Sequence, residues 1–112
     1  MALNEQRFNI LLALAGAPLH GYAIAEEIDR LTEGAHKPRP GSLYHSLDKL
    51  TEQGLVEFDR EEVVDGRLRR YYRLTEHGSA TLGDQALQRQ RSAALALERL
   101  DLGLNRSHLG RI

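Results

Sequence analysis

The sequence predicts a mainly α-helical winged helix-turn-helix with a two-stranded wing and a long C-terminal helix. Three observations predict it. Apolar residues recur with helical spacing in three segments before Gly54, and the spacing changes to two on either side of Asp65-Gly66. After Thr75 the helical spacing returns for roughly 25 residues.

The first segment, Asn4 to Ala15, sets Phe8, Leu11, Leu12 and Ala15 at i, i+3, i+4 and i+7, with Ile10 and Leu14 widening the stripe. Gly16 and Pro18 end it, and Pro18 to His20 reads as a short extended piece. A second helix is expected from Gly21 to Thr32 on the apolar side Ile24, Ile28 and Leu31, with Gly34 as a left-handed terminator. The loop Gly34 to Arg39 leads to Pro40, whose fixed φ suits a first helical position. A third helix then runs to about Gln53. Leu43, Leu47 and Leu50 fall within about 60° of one another, and Ser42, His45, Lys49 and Glu52 point away from them. Gly54 closes the helix.

From Leu55 the alternation of Val56 and Phe58 with Glu57 and Asp59, answered by Leu68, Tyr72 and Leu74, predicts a hairpin. A two-residue turn would set Phe58 opposite Arg73. A three-residue loop, Asp65-Gly66-Arg67, sets it opposite Leu74 and keeps both on a buried face, and that register is expected. In it Glu62 faces Arg70 and Asp59 faces Arg73, while Tyr72 belongs to the core. Thr75 is the expected cap of the last helix, with Glu76 at its positive end. Its seam of Leu82, Ala86, Ala93, Ala94, Leu97 and Leu100 extends about 37 Å, which outruns a core made by the preceding residues. This seam is the expected homodimer interface. A frayed tail or short capping turn is expected from Asp101 to Ile112. The chain accordingly divides into residues 1–75, a DNA-binding domain, and 76–112, a dimerisation helix and tail.

A chain of 112 residues accommodates one domain with a modest core. It has no cysteine, which excludes disulfides, thiolate nucleophiles and Cys-based zinc sites. The histidines lack ligand spacing, and no metal or cofactor is expected. No nucleophile elbow, phosphate-binding loop or catalytic triad spacing is present, so an enzyme is not expected. No apolar run reaches the length of a membrane span, and Met1 to Asn9 lacks a signal-peptide pattern, which together predict a cytoplasmic protein without membrane partners.

The net charge of −1 conceals strong segregation. Glu26, Glu27, Asp29 and Glu33 outweigh Arg30, and five acids between Glu52 and Glu62 outweigh Arg60. Against these, GRLRRYYRLT carries Arg67, Arg69, Arg70 and Arg73 without an acid among them. Four guanidinium groups on a wing suit the phosphates or minor groove of duplex DNA beside a third helix lying in the major groove.

Three motifs also give the chain a family likeness: ILLALAGAPLHGYAIAEEI (Ile10 to Ile28), PGSLYHSLDKLTEQGLV (Pro40 to Val56) and GRLRRYYRLTEHG (Gly66 to Gly78). In this order and spacing they resemble the PadR-like transcriptional regulators over roughly residues 8 to 80, and the single C-terminal helix resembles the smaller class of that family. The resemblance implies a homodimer on the C-terminal helix, DNA binding through the third helix and wing, repression, and release by a small-molecule effector. Arg39 departs from the Ser or Thr expected as helix cap, where an arginine could add a phosphate contact.

The expected DNA-contacting set is Tyr22, Arg39, Ser42, Tyr44, His45, Lys49, Arg67, Arg69 and Arg70. Ser42 and His45 are assigned to base edges, Lys49 to guanine or phosphate, and Tyr44 to phosphate. Cross-strand acids compete for Arg70 and Arg73, which makes Arg67 and Arg69 the stronger assignments. His20-Gly21-Tyr22 has two readings: a helix N-terminus that holds a phosphate, or a tight turn with Tyr22 packed against the third helix. The chain as a whole also has a second reading, a winged-helix module for protein–protein contact that works through its acidic second helix and first wing strand.

Overall fold

Three short helices bury their apolar stripes against one another and pass the chain into a hairpin and a long final helix. The order is α1 (Glu5–Leu14), β1 (Leu19–His20), α2 (Gly21–Leu31), α3 (Pro40–Glu52), β2 (Val56–Val64), β3 (Arg67–Leu74) and α4 (Glu76–Arg99). The computed structural model describes residues 3–101, so the expected tail beyond Asp101 lies outside the described residues.

The core is built where the stripes meet. Ile10, Leu11 and Leu14 of α1 pack with Ile24 and Ile28 of α2 and with Leu43, Leu47 and Leu50 of α3, and Leu55 and Val56 close it. Truncating one such leucine to alanine typically costs about 2–5 kcal/mol. Leu12 and Leu31, expected on these stripes, lie at their exposed edges. The helix starts follow capping chemistry. Asn4 Oδ1 accepts from Arg7 N at 2.8 Å in α1, and Pro40 opens α3 without any side-chain cap from Arg39.

The sheet is antiparallel in the order β1-β3-β2, so the short extended piece adds a third strand to the two-stranded wing, pairing Leu19 with Tyr72 and His20 with Tyr71. The hairpin register differs from expectation. Val64 pairs with Arg67 across a two-residue Asp65-Gly66 turn with φ of 52° and 76°, the doubly left-handed geometry that suits the twist of paired strands. A β-bulge between Phe58 and Arg60 adds Asp59 to β2, which sets Phe58 opposite Tyr72 and Val56 opposite Leu74. Phe58 is therefore not a buried partner of Leu74. It is 44% exposed and lies under the Arg70 guanidinium, 4.5 Å from the ring centroid. The bulge supplies the shift that a longer loop had been expected to supply, in the opposite sense.

Thr75 ties the elements together. Its hydroxyl donates to Gly54 O at 2.6 Å and accepts from Gly78 N at 2.9 Å, while its own amide donates to Leu55 O at 3.2 Å. The start of α4 is thereby fastened to the end of α3 and the start of β2. Further along, Arg89 lies over the Phe8 ring at 3.7 Å and donates to Glu5 at 2.9 Å. Leu82 packs partly against the chain's own core. Beyond Ser92 every described residue is exposed, including Ala93, Ala94 and Leu97 of α4 and Leu100 just past its end. The helix projects from the head, giving extents of 61 × 28 × 21 Å.

Candidate nucleic-acid interface

The third helix is held by both flanks, which leaves its middle free. On one flank Gln6 of α1 donates through Nε2 to Ser42 O at 3.1 Å, Ser42 Oγ at 3.0 Å and Ser46 Oγ at 2.8 Å. Ser46 is buried, and this bond satisfies a hydroxyl that would otherwise be costly inside the core. On the other flank Tyr44 lies against Gly21, the first residue of α2. A Cβ at Gly21 would overlap the Tyr44 hydroxyl, so a larger residue there would have to push the Tyr44 ring aside. At 100° per residue the arc between these flanks carries Gly41, His45, Asp48, Lys49 and Glu52. His45 is exposed, and Lys49 stands 3.8 Å from Glu52 in a loose surface pair.

Beyond Tyr44 a groove of about 450 Å³ separates α3 from the wing. Its walls are His20, Gly21 and Tyr22 at the start of α2, Tyr44, and Arg67, Leu68, Arg69 and Arg70 of β3. Five expected contact residues thus border one concavity: Tyr22, Tyr44, Arg67, Arg69 and Arg70. Arg39, Ser42, His45 and Lys49 lie outside it along α3. Tyr22 is 68% exposed and its ring runs parallel to that of His20 at 6.5 Å, so the reading that packs it against the third helix is not what the fold adopts. Glycine 21, rather than Tyr22, makes the close contact with α3.

The wing cations fall into distinct states. Arg70 donates to Glu61 at 2.9 Å, not to the expected Glu62, because the two-residue turn places Glu61 opposite it. Arg73 donates to Glu57 at 2.9 Å and to Asp59, as the expected Asp59 pairing required. Arg60 bonds Asp59 and Glu62 and covers the Tyr71 ring at 4.0 Å. Bonds from Arg73 and then Arg60 hold the Asp59 carboxyl below its ordinary range. Arg67, at the turn, has no hydrogen-bond or ion-pair partner among the described residues.

Arg69 is different again. Its Nη1 lies 2.9 Å from His20 Nε2, and since a guanidinium only donates, the imidazole accepts there. His20 Nδ1 also stands 3.3 Å from Ala23 N at the helix start. A neutral imidazole has one acceptor nitrogen, so the shorter contact to Arg69 and the longer cap to Ala23 compete for it. Burial, and then the Arg69 charge, lower the His20 pKa and favour the neutral ring that this contact needs. As candidate contacts, His20 and Gly21 entered the sequence reading only through the phosphate-holding reading of His20-Gly21-Tyr22 and not in the contact set, and Leu68 is a groove residue that gave no signal.

The model of the "Transcriptional regulator PadR-like family" matches residues 10–84. Among curated relatives, "Transcriptional regulator YqjI" of Escherichia coli is 37% identical over 85 residues, covering 76% of this chain and 39% of that protein. "Transcriptional regulator Rv3488" of Mycobacterium tuberculosis is 38% identical over 76 residues, covering 68% of this chain and 67% of its own length. The chain therefore spans about two fifths of the first relative and two thirds of the second. Among solved structures, Bacillus subtilis PadR in complex with operator DNA superposes with a TM-score of 0.64 at 25% identity, covering 74% of this chain and 47% of that one. A PadR family transcription regulator from Clostridium difficile R20291 gives 0.68 at 23% identity, covering 88% and 98%.

Proposed function

Because the chain belongs to the PadR-like family of transcriptional regulators, which are regulators and not enzymes, we propose that it is a homodimeric repressor that binds a pseudo-palindromic operator. Residues 1–75 bind one half-site, and α4 with the following residues supplies the dimer. The observation that carries the reading is the groove in which Tyr44 of α3, the N-terminus of α2 and Arg67 and Arg69 of the wing border one concavity. A helix N-terminus and guanidinium groups on two sides of a groove favour phosphate oxygens, and the outward arc of α3 beside it favours base edges. The solved likeness bound to operator DNA supports the same use of this fold. His45 and Ser42 are assigned to bases, Arg39, Tyr22 and Tyr44 to phosphates, Lys49 to either, and Arg70 to the outer margin.

The exposed Leu97 of α4 and its C-cap Leu100, with Ala93 and Ala94, favour burial against a second copy, and Ala86 continues their line towards the head. A two-fold pairing there would carry two recognition helices to successive major grooves. The rival reading, an acidic protein-binding surface, is disfavoured because Glu57, Asp59, Glu61 and Glu62 are engaged by the chain's own arginines.

Selection of bound sequences from a random duplex pool, followed by gel shift across a salt series, tests the proposal. The expected result is an enriched two-fold symmetric motif bound with a steep inverse salt dependence. Enrichment of no motif at any salt would overturn it. A Leu97→Glu, Leu100→Glu double variant is expected to sediment as a monomer and to lose cooperative occupation of both half-sites.

A further inference from the structure

Gln6 belongs to α1 and stands outside both the wing groove and the assigned contact set, yet its side chain ends on the third helix. Its Nε2 lies 3.1 Å from Ser42 O, 3.0 Å from Ser42 Oγ and 2.8 Å from Ser46 Oγ. A backbone carbonyl only accepts, so the end of Gln6 that faces Ser42 O is its amide nitrogen, a group that only donates. Two hydrogens are thus shared among three oxygens, all within the first two turns of α3.

The two serines differ in what this leaves them. Ser46 is buried, and its bond to Gln6 serves the core. Ser42 is exposed at the start of α3. A serine hydroxyl carries one hydrogen and two acceptor lone pairs. Gln6 takes up a lone pair of Ser42 Oγ and has no means of accepting its hydrogen. Among the described residues no other acceptor takes that hydrogen either. The hydroxyl is therefore held with an acceptor side towards α1, and its proton is left for whatever approaches from outside.

We propose that Gln6 is a positioning residue for operator reading, one that sets Ser42 as a hydrogen-bond donor and thereby disfavours cytosine at the base opposite it. The inference rests on the assignment of Ser42 to a base edge. In the major groove guanine, adenine and thymine each offer an acceptor, whereas cytosine offers only its N4 amine, a donor. A freely turning hydroxyl would accept from that amine as readily as it donates to the other bases. One fixed by Gln6 from behind meets cytosine donor to donor. Gln6 acts in this scheme through Ser42 and touches no base itself.

The test is selection from a random duplex pool with the full-length parent, Ser42→Ala, Gln6→Glu, Gln6→Met, and Gln6→Glu combined with Ser42→Ala. Ser42→Ala marks the position: at one base of each half-site the parent's preference against cytosine, about fivefold on the scale of one hydrogen bond, should disappear. Gln6→Glu keeps the size but only accepts, so it draws the Ser42 hydrogen inward and leaves lone pairs outward. Cytosine should become the favoured base at that position, while the added charge weakens binding to every sequence alike. Gln6→Met leaves the hydroxyl unheld and should bring the preference there to within about twofold of none; being uncharged, it carries the test if Gln6→Glu fails to fold. In the Ser42→Ala background Gln6→Glu should alter no base preference. A side chain that merely fastened α3 would not reverse a preference at one position. Unchanged preference in the Gln6 variants, or an effect of Gln6→Glu that survives without Ser42, would overturn the role of Gln6 and leave the operator reading intact. Equal weakening of all sequences by Ser42→Ala would put Ser42 on phosphate and overturn it too. If the parent enriches no motif, the operator reading and this inference fall together.

Discussion

The tip and the base of the wing carry equal numbers of β3 arginines and opposite amounts of available charge. At the base, Arg70 and Arg73 are each bonded to carboxylates of β2. At the tip, Arg67 is unpartnered among the described residues and Arg69 is bonded to a neutral imidazole. A guanidinium on a carboxylate is neutralised before any polyanion arrives, whereas one on a neutral ring is positioned and keeps its charge. Counting arginines therefore overstates the cationic wing, and the tip is where phosphates would be met.

The largest expected effect comes from removing the tip. Arg67→Ala with Arg69→Ala should weaken binding to the selected operator about tenfold or more at moderate salt. It should also lower the slope of log K against log salt by about 2, one unit per phosphate contact. Equal binding by parent and variant would break the comparison. Arg70→Ala with Arg73→Ala should lower the same slope by less than about 1, since charges already matched release few counterions. A loss equal to that of the tip pair would mean that DNA displaces the carboxylates.

A smaller effect of opposite sign sharpens the same point. Asp59 holds both Arg60 and Arg73 from the bulge. Asp59→Asn keeps the shape and removes the charge. Binding to unrelated duplexes should tighten a few-fold, with a salt slope steeper by at most about 1, while the preferred sequence stays the same. Measured against random-sequence duplex at two salt concentrations, unchanged affinity would show that Asp59 serves the strand geometry alone.

The difference between tip and base was legible only in part. Helix order, the Leu43-Leu47-Leu50 core face, the Thr75 cap and the outward side of α3 follow from spacing, because a helical stripe has one buried solution. The strand register did not follow. Asp65-Gly66 signalled the observed turn, but Val56 to Asp59 alternates like any regular strand, and nothing in that stretch marks Asp59 as the bulged residue. The turn decides that Glu61 meets Arg70, and the bulged residue decides that Glu57 faces Arg73. The Gln6 tether and the Gly21–Tyr44 contact were hidden for another reason, since each joins segments remote in sequence through side chains common on any surface.

The smallest effect concerns the imidazole that holds Arg69. Burial, then Arg69, lower the His20 pKa in the folded chain, so as pH falls the unfolded chain takes up this proton first. The stability that neutral His20 contributes is complete above its unfolded value of 6.5. It is lost progressively as pH drops from there through the lower folded value. A charged ring has no acceptor nitrogen, so protonation removes whichever of the two competing contacts, to Arg69 or to Ala23, the neutral ring accepts. His20→Gln retains an acceptor that does not titrate. Melting temperatures at pH 7.5 and 5.0 should therefore differ less in the variant than in the parent, and an equal fall in both would show that His20 does not govern the tip. Where Arg69 is released by acid it remains a cation beside a new cation. The parent's affinity for duplex DNA should accordingly rise through the same interval in which its stability falls, and the variant's should rise less.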